Sequence, residues 1–356
     1  MNFRQPAEVG IPNCEHIASL NRATLVVSCD FMRFHKYERE QNFYRIENTD
    51  PWGTGHVGQA LFDGLSKRGH QVTILTRSRP NSSKYVQWDG KTLGDWSHEI
   101  DVADVVINLA GRSVNCRYNA TNRKQMLDSR VDSTRIVGRA ISESPTPPKV
   151  WLQMSTATIY DHRFDAGNDE ANGWIGAGKL DYPENWKLSV EIAKAWEREQ
   201  TAANTPQTRK IAMRTSMVMS PIAGSIFSVL SGLVKLRLGG PIAGGKQFVS
   251  WIHEEDFIEA VLFLVTNDTL TGPVNMASPN PLPQREFMSL LRAAAGVAIG
   301  LPATKWMAAM GAIVMRTETE LIFKSRRVVP GKLLDAGFQF QYPEWKAAAT
   351  ELNDRM

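Results

Sequence analysis

At 356 residues the chain has room for one large domain, or for a large and a small one. Apolar residues make up 42% and charged residues 22%, the balance of a soluble globular protein, which excludes a disordered chain. The net charge of +4 comes from scattered Lys and Arg without a basic block, so no nucleic-acid partner is expected. Cys14, Cys29 and Cys116 contain no C-x-x-C pair, which argues against a disulfide framework or a metal site and for a reducing compartment. No apolar run approaches the roughly 18 residues of a membrane span, and no signal-peptide core follows Met1. A cytoplasmic protein with no membrane partner is expected.

Residues 1–50 read as an atypical N-terminal extension. Phe43 to Ile46 is short and carries Arg45. Ala23 to Cys29 is the better strand by composition, but residues 30–52 separate it from the glycine-rich loop at 53–58. Either it is the first strand with an insertion behind it, or the whole segment is an extension. The sequence leaves both open.

Gly53-Thr54-Gly55-His56-Val57-Gly58 has the spacing G-x-G-x-x-G and runs into a segment with Val57, Ala60, Leu61 and Leu65 on one helical face. The first glycine suits a tight turn, the second the approach of a pyrophosphate, and the third close packing of helix on sheet. The N–H groups opening the helix then face the phosphates. A strand follows over 71–76, then Val105 to Leu109, a helix over Asn122 to Ile141 ended by Pro145, and a strand over Val150 to Met154. A helix over Lys187 to Ala203 and a strand over Ile211 to Met219 come next. Strands separated by helices, each mostly apolar, predict a parallel sheet covered on both faces. Beyond it Ser225 to Leu236 and Glu254 to Val265 read as helices, and three further helical stretches lie after Pro279.

Several motifs in order carry a resemblance: Asn-Leu-Ala-Gly at 108–111, Ser-Arg-Val-Asp-Ser-Thr-Arg at 129–135, Ser-Thr-Ala-Thr-Ile-Tyr at 155–160, Gly-Gly-Pro-Ile-Ala-Gly-Gly-Lys-Gln at 239–247 and Ser-Trp-Ile-His at 250–253. Over residues 53–356 the chain resembles the atypical short-chain dehydrogenases/reductases grouped as epimerase family proteins, or nucleoside-diphosphate-sugar epimerase-like proteins. The resemblance implies an α/β fold, a Rossmann-type doubly wound parallel sheet over 51–277, with a small, mainly helical C-terminal substrate domain over 278–356. It implies NAD(P) binding by Gly53, Thr54, Gly55, Val57 and Gly58, with Leu109, Ala110 and Gly111 beside the adenosine and ribose. The group usually has Gly-Gly-Thr-Gly at the loop; here Trp52 replaces the first glycine, where its indole would crowd the phosphates.

Charge bears on the choice of cofactor. An acidic residue after the second strand would repel a 2′-phosphate; Arg77 and Ser78 stand there instead, and a guanidinium matches a phosphate. NADP is therefore expected ahead of NAD. The usual Tyr-x-x-x-Lys pair, in which the lysine tunes the tyrosine to move a proton, is missing. Anchored on Trp196-Glu197, its slots fall on Ser189 and Ala193. Ser155, at a strand end, and Tyr160 are the candidate catalytic residues; the alternative for Ser155 is a turn cap, and for Tyr160 packing. His253 is expected to cap or pack rather than act as a base. Three readings result: an NADP-dependent oxidoreductase or epimerase acting on a small or nucleotide-linked substrate, a non-catalytic NADP(H)-binding regulatory protein, and a degenerate protein that no longer binds nucleotide. Substrate and oligomeric state are not fixed by the sequence.

Overall fold

The computed structural model of the protein describes residues 23–26, 29–30, 55–77, 85–114, 116–176, 184–314 and 318–356. Its first half runs β1 (Ala23–Val26), β2 (Cys29–Asp30), α1 (His56–Lys67), β3 (Val72–Thr76), β4 (Tyr85–Gln87), α2 (His98–Asp101), β5 (Val105–Asn108), β6 (Gly111–Arg112), α3 (Ala120–Glu143) and β7 (Val150–Thr156). There follow α4 (Glu184–Ala202), β8 (Arg209–Thr215), β9 (Met217–Met219), α5 (Ile226–Lys235), β10 (Phe248–Val249), β11 (Trp251–His253), α6 (Glu254–Thr266) and β12 (Gly272–Met276). The chain closes with β13 (Leu282–Pro283), α7 (Gln284–Ala294), α8 (Lys305–Val314), α9 (Glu320–Phe323), α10 (Gly331–Asp335) and α11 (Trp345–Asp354).

Seven strands form one parallel sheet in the order β12-β8-β7-β5-β1-β3-β4. β1 pairs with β3 on one side (Ala23 opposite Val72) and β5 on the other (Ala23 opposite Val105). The chain therefore winds outward in both directions from β1, and the place where it reverses is where doubly wound sheets hold ligands. The sequence offered Ala23 to Cys29 as one run; the central strand occupies Ala23–Val26, and Cys29–Asp30 pairs separately with Gly111–Arg112.

Alternation along each strand feeds two cores. Ile74, Val105 and Ile107 pack with Leu61 and Leu65 of α1 and with Phe257 and Val261 of α6. Leu75, Val106 and Trp151 face the other way, onto Ile136, Val137 and Ile141 of α3. Gly64 lets α1 meet α6: a Cβ there would lie 2.5 Å from Ile258 Cδ1. The strand expected over Ile211 to Met219 is divided at Ser216. β8 stays in the large sheet, whereas β9 leaves it to pair with β11, Met217 opposite Trp251.

A third core joins Met219, Phe227 and Trp251 to Phe287, Leu291, Trp345 and Leu352. Trp345 stacks on Phe287 with ring centroids 4.0 Å apart. This core crosses the expected boundary at residue 278, so the C-terminal helices share their interior with α5 and β11.

Candidate active site

Three features meet at the carboxyl ends of β1, β3 and β5. The first is the start of α1. Gln59 N bonds back to Gly55 O at 3.0 Å, so the N–H groups of His56, Val57 and Gly58 precede the first intrahelical bond and carry the helix's partial positive charge. Gly58 is buried, and the Val57 side chain packs on the core, leaving Val57 only its N–H to offer. Burial holds the His56 imidazole below its ordinary pKa. Gly53, Thr54, Ser78 and Trp52 lie outside the described residues.

The second feature is a cleft of about 280 Å³ lined by Arg77, Lys91 and Arg112, with Asp89, Asp128 and Ser129 among its other walls. Its two carboxylates are already engaged. Asp89 accepts from Lys91 N, Thr92 N and Thr92 Oγ1, and Asp128 pairs with Lys124 at 2.5 Å. Three cations therefore line the cleft with two carboxylates, one of them paired with Lys124, and the surplus of positive charge suits a phosphate.

The third is the β5 end. Asn108 is fully buried, donates to Gln153 Oε1 at 3.0 Å and accepts from Ala110 N at 2.9 Å, which fixes the turn out of the strand. Leu109 and Ala110 are buried in the two cores, so their side chains do not face the cleft. Gly111 is half-buried in β6, and a Cβ there would meet the Arg130 guanidinium at 3.1 Å.

Neither hydroxyl chosen from the sequence as catalytic is open to a substrate. Ser155 is buried and its Oγ donates to Glu197 Oε1 at 2.7 Å. Glu197 is held in turn by Arg214 through two bonds of 2.8 Å. Burial opposes the Arg214 charge, but Glu197 outweighs it and holds the pKa above that of an ordinary arginine. Tyr160 is also buried; it donates to Asn275 Oδ1 at 2.9 Å and accepts from Arg214 Nη1 at 2.9 Å. Both residues brace the sheet end: Ser155 is a buried residue near the end of β7, with the half-exposed Thr156 next, and Tyr160 is buried just after the turn that follows the strand. His253 caps α6, accepting from Glu255 N at 3.1 Å, bonds Glu351 at 2.8 Å and stacks on Tyr342, in agreement with the capping expectation.

The two positions expected for the tyrosine and lysine, Ser189 and Ala193, both lie on α4. Ala193 is buried in a small core with Ala157, Ile159 and Val328. Ser189 Oγ donates to Glu320 Oε2 at 2.5 Å, and Lys324 Nζ meets Glu320 Oε1 at 3.3 Å. Both charged side chains are fully enclosed. Lys324 also donates to Thr158 O at 2.9 Å, and Arg326 Nε to Thr158 Oγ1 at 3.2 Å. Burial lowers the Lys324 pKa to about 8 against the pull of Glu320. Tyr118 hydrogen-bonds Ser189; burial and the Glu320 charge raise its pKa, so it stays protonated. A tyrosine and a lysine thus converge on the expected slot from other parts of the chain, linked through Ser189 and Glu320. Sequence spacing could not reveal them, because Glu320 lies 131 residues from Ser189. Among the described residues no group of three or more His, Cys, Asp or Glu is placed to hold a metal, and no helix is long and apolar enough to cross a membrane.

A doubly wound parallel sheet with a helix N-terminus and a cationic cleft at its switch point defines a dinucleotide-binding α/β protein of the short-chain dehydrogenase/reductase type. Residues 53–277 match the NAD dependent epimerase/dehydratase family, and the chain belongs to that family. Residues 306–352 match a domain of unknown function, DUF1731. The chain is 30% identical over 308 residues to the cattle epimerase family protein SDR39U1, covering 84% of this chain and 97% of the relative. It is 28% identical over 306 residues to epimerase family protein YfhF of Bacillus subtilis, covering 84% and 95%. The crystal structure of human SDR39U1 isoform 2 with NADPH superposes with a TM-score of 0.72 at 25% identity, covering 85% of this chain and 97% of that one. A nucleoside-diphosphate sugar epimerase from Corynebacterium glutamicum shares the fold, with a TM-score of 0.68 at 22% identity, covering 96% and 61%.

Proposed function

We propose that this chain binds NADP(H) across the ends of β1, β3 and β5 and acts as an oxidoreductase or epimerase on a small or nucleotide-linked carbonyl compound. The cleft walled by Arg77, Lys91 and Arg112 is the observation that carries the choice of cofactor. In this reading the α1 amides receive the diphosphate and the three cations receive the 2′-phosphate. The NADPH-bound human relative supports it. NADPH supplies the hydride; the chain supplies the proton path. In this reading Tyr118 and Ser189 form the proton path: the proton that Tyr118 gives to a substrate oxygen is replaced through Ser189 and Glu320 from Lys324, which becomes neutral and regains its proton from solvent.

Fluorescence titration tests the first part. NADPH is expected to bind at least about tenfold more tightly than NADH, and Arg77→Ala to erase most of that gap, a loss of roughly 1.4 kcal/mol. Absence of binding to either nucleotide sinks the reading. Turnover over a panel of carbonyl compounds tests the second part: Tyr118→Phe is expected to lower kcat by about 10²-fold or more while NADPH affinity is kept. A non-catalytic NADP(H)-binding protein is the second reading, favoured by the buried Ala193 where a lysine normally stands. Tight NADPH binding with no turnover across the panel selects it.

A further inference from the structure

Exposed apolar side chains are normal when scattered, but here six fall on two loops that are bonded together and on the helix that follows them. Leu236 and Leu238 follow α5, Ile299 and Leu301 sit on the loop after α7, and Trp306 and Met310 lie on α8. Leu236 and Trp306 are each 69% exposed. Hydrogen bonds fasten the two loops together. Leu301 N donates to Arg237 O at 2.8 Å, Ala303 N to Pro241 O at 3.0 Å, and Ala243 N to Ala303 O at 2.8 Å. α8 starts two residues beyond Ala303, so its exposed Trp306 follows directly on these joined loops.

The turn that presents the leucines is firmly held. α5 ends with Arg237 N bonded to Val234 O and Leu238 N to Leu233 O, and Arg237 takes a φ of 61°. Glycine is usual at that position; an arginine there is strained and keeps a cation between two exposed leucines.

Charge selects the partner. Residues 200–253 and 287–317, which include every residue of this face, contain no Asp or Glu. Lys235 and Arg237 alternate with Leu236 and Leu238, and Lys305 precedes Trp306. All three cations are exposed, and among the described residues none of them meets a carboxylate. A two-fold dimer through this face would set cations against cations without an acid on either side. Lysine is depleted at the cores of protein interfaces, whereas lysine and arginine interleaved with Leu and Trp is the pattern of a surface lying in a headgroup layer. The leucines and Trp306 also project from loop tips and a helix start, which suits entry into a soft layer.

We propose that this face docks on a membrane bearing anionic phospholipids, with Leu236, Leu238 and Trp306 at the headgroup–acyl boundary and Lys235, Arg237 and Lys305 against the phosphates. Attachment is peripheral and weakens with salt.

Co-sedimentation of the full chain with vesicles tests it. Binding to phosphatidylcholine mixed with phosphatidylserine is expected to exceed binding to phosphatidylcholine alone by about 10²-fold, the combined effect of three cations near an anionic surface. Lys235→Glu/Arg237→Glu and Leu236→Ser/Trp306→Ser should each lose most of that binding while thermal unfolding and NADPH titration stay as in the parent. The proposal is overturned if neither vesicle brings down the protein, or if both variants bind like the parent. It is equally overturned if sedimentation equilibrium shows a dimer that Trp306→Ser abolishes, which would make a second copy the occupant.

Discussion

Glu197 carries more of the site's integrity than the hydroxyls around it. Its carboxylate holds Arg214 through two bonds and receives Ser155, all with little access to water. Glu197→Gln should cost about 3–5 kcal/mol in urea unfolding, because it leaves a buried guanidinium uncompensated. Ser155→Ala should cost only about 1 kcal/mol, with NADPH affinity unchanged. A larger effect of Ser155→Ala on turnover than on stability would restore this serine to the chemistry. His56 gives a pH signature. Its folded pKa is depressed below the ordinary 6.5 by burial, so the unfolded chain binds the extra proton first. Its contribution to stability is present above pH 6.5 and is lost as pH falls below that value. A His56→Gln variant should show a shallower loss between neutral and acid pH, measured by thermal unfolding across that range. At this scale the glycine spacing, Arg77 and the serine and alanine at positions 189 and 193 could all be read from the sequence, since each is local. Lys91 and Arg112 were not singled out, because only the fold brings them to the cleft that Arg77 lines.

Elements that come together over long sequence distances account for most of what the sequence withheld. Ala23–Val26 sits at the centre of the sheet although residues 30–54 intervene before α1. Its short, apolar composition was legible, but its place was not, because a strand detached from its glycine loop breaks the expected strand–loop–helix order. The segment around α9 is a second case. It delivers Glu320 and Lys324 to the face of α4 where Tyr-x-x-x-Lys would lie, and no periodicity in either segment signals the pairing. Lys324→Met alone should destabilise by about 3–5 kcal/mol, since Glu320 would then be charged and unpaired in a closed interior. Adding Glu320→Gln should recover much of that loss. Equal destabilisation of single and double variants in urea would show that the two residues act separately.

At the scale of the whole molecule, the fold class and the winding of the sheet follow from alternating apolar strands and helices. The third core runs across the expected partition at residue 278 and ties the C-terminal helices to α5 and β11. Trp345 is fully buried against Phe287, Phe227 and Trp251, and its indole donates to Phe287 O at 2.8 Å. Trp345→Ala should cost about 3–5 kcal/mol, and a chain ending before α11 should lose cooperative unfolding in residues 217–295 rather than shed an independent unit. Hydrogen exchange that leaves α5 and β11 protected in such a truncation would contradict this.

The third core also has a consequence in time. Domains fold as units while the chain is being made, and the aromatic partners of Trp345 emerge well before it does. Until Trp345 leaves the ribosome, Phe227, Trp251 and Phe287 lack the ring that covers them. This lobe is therefore completed later than the parallel sheet, and until then the nascent chain leaves exposed an aromatic surface that the fold hides.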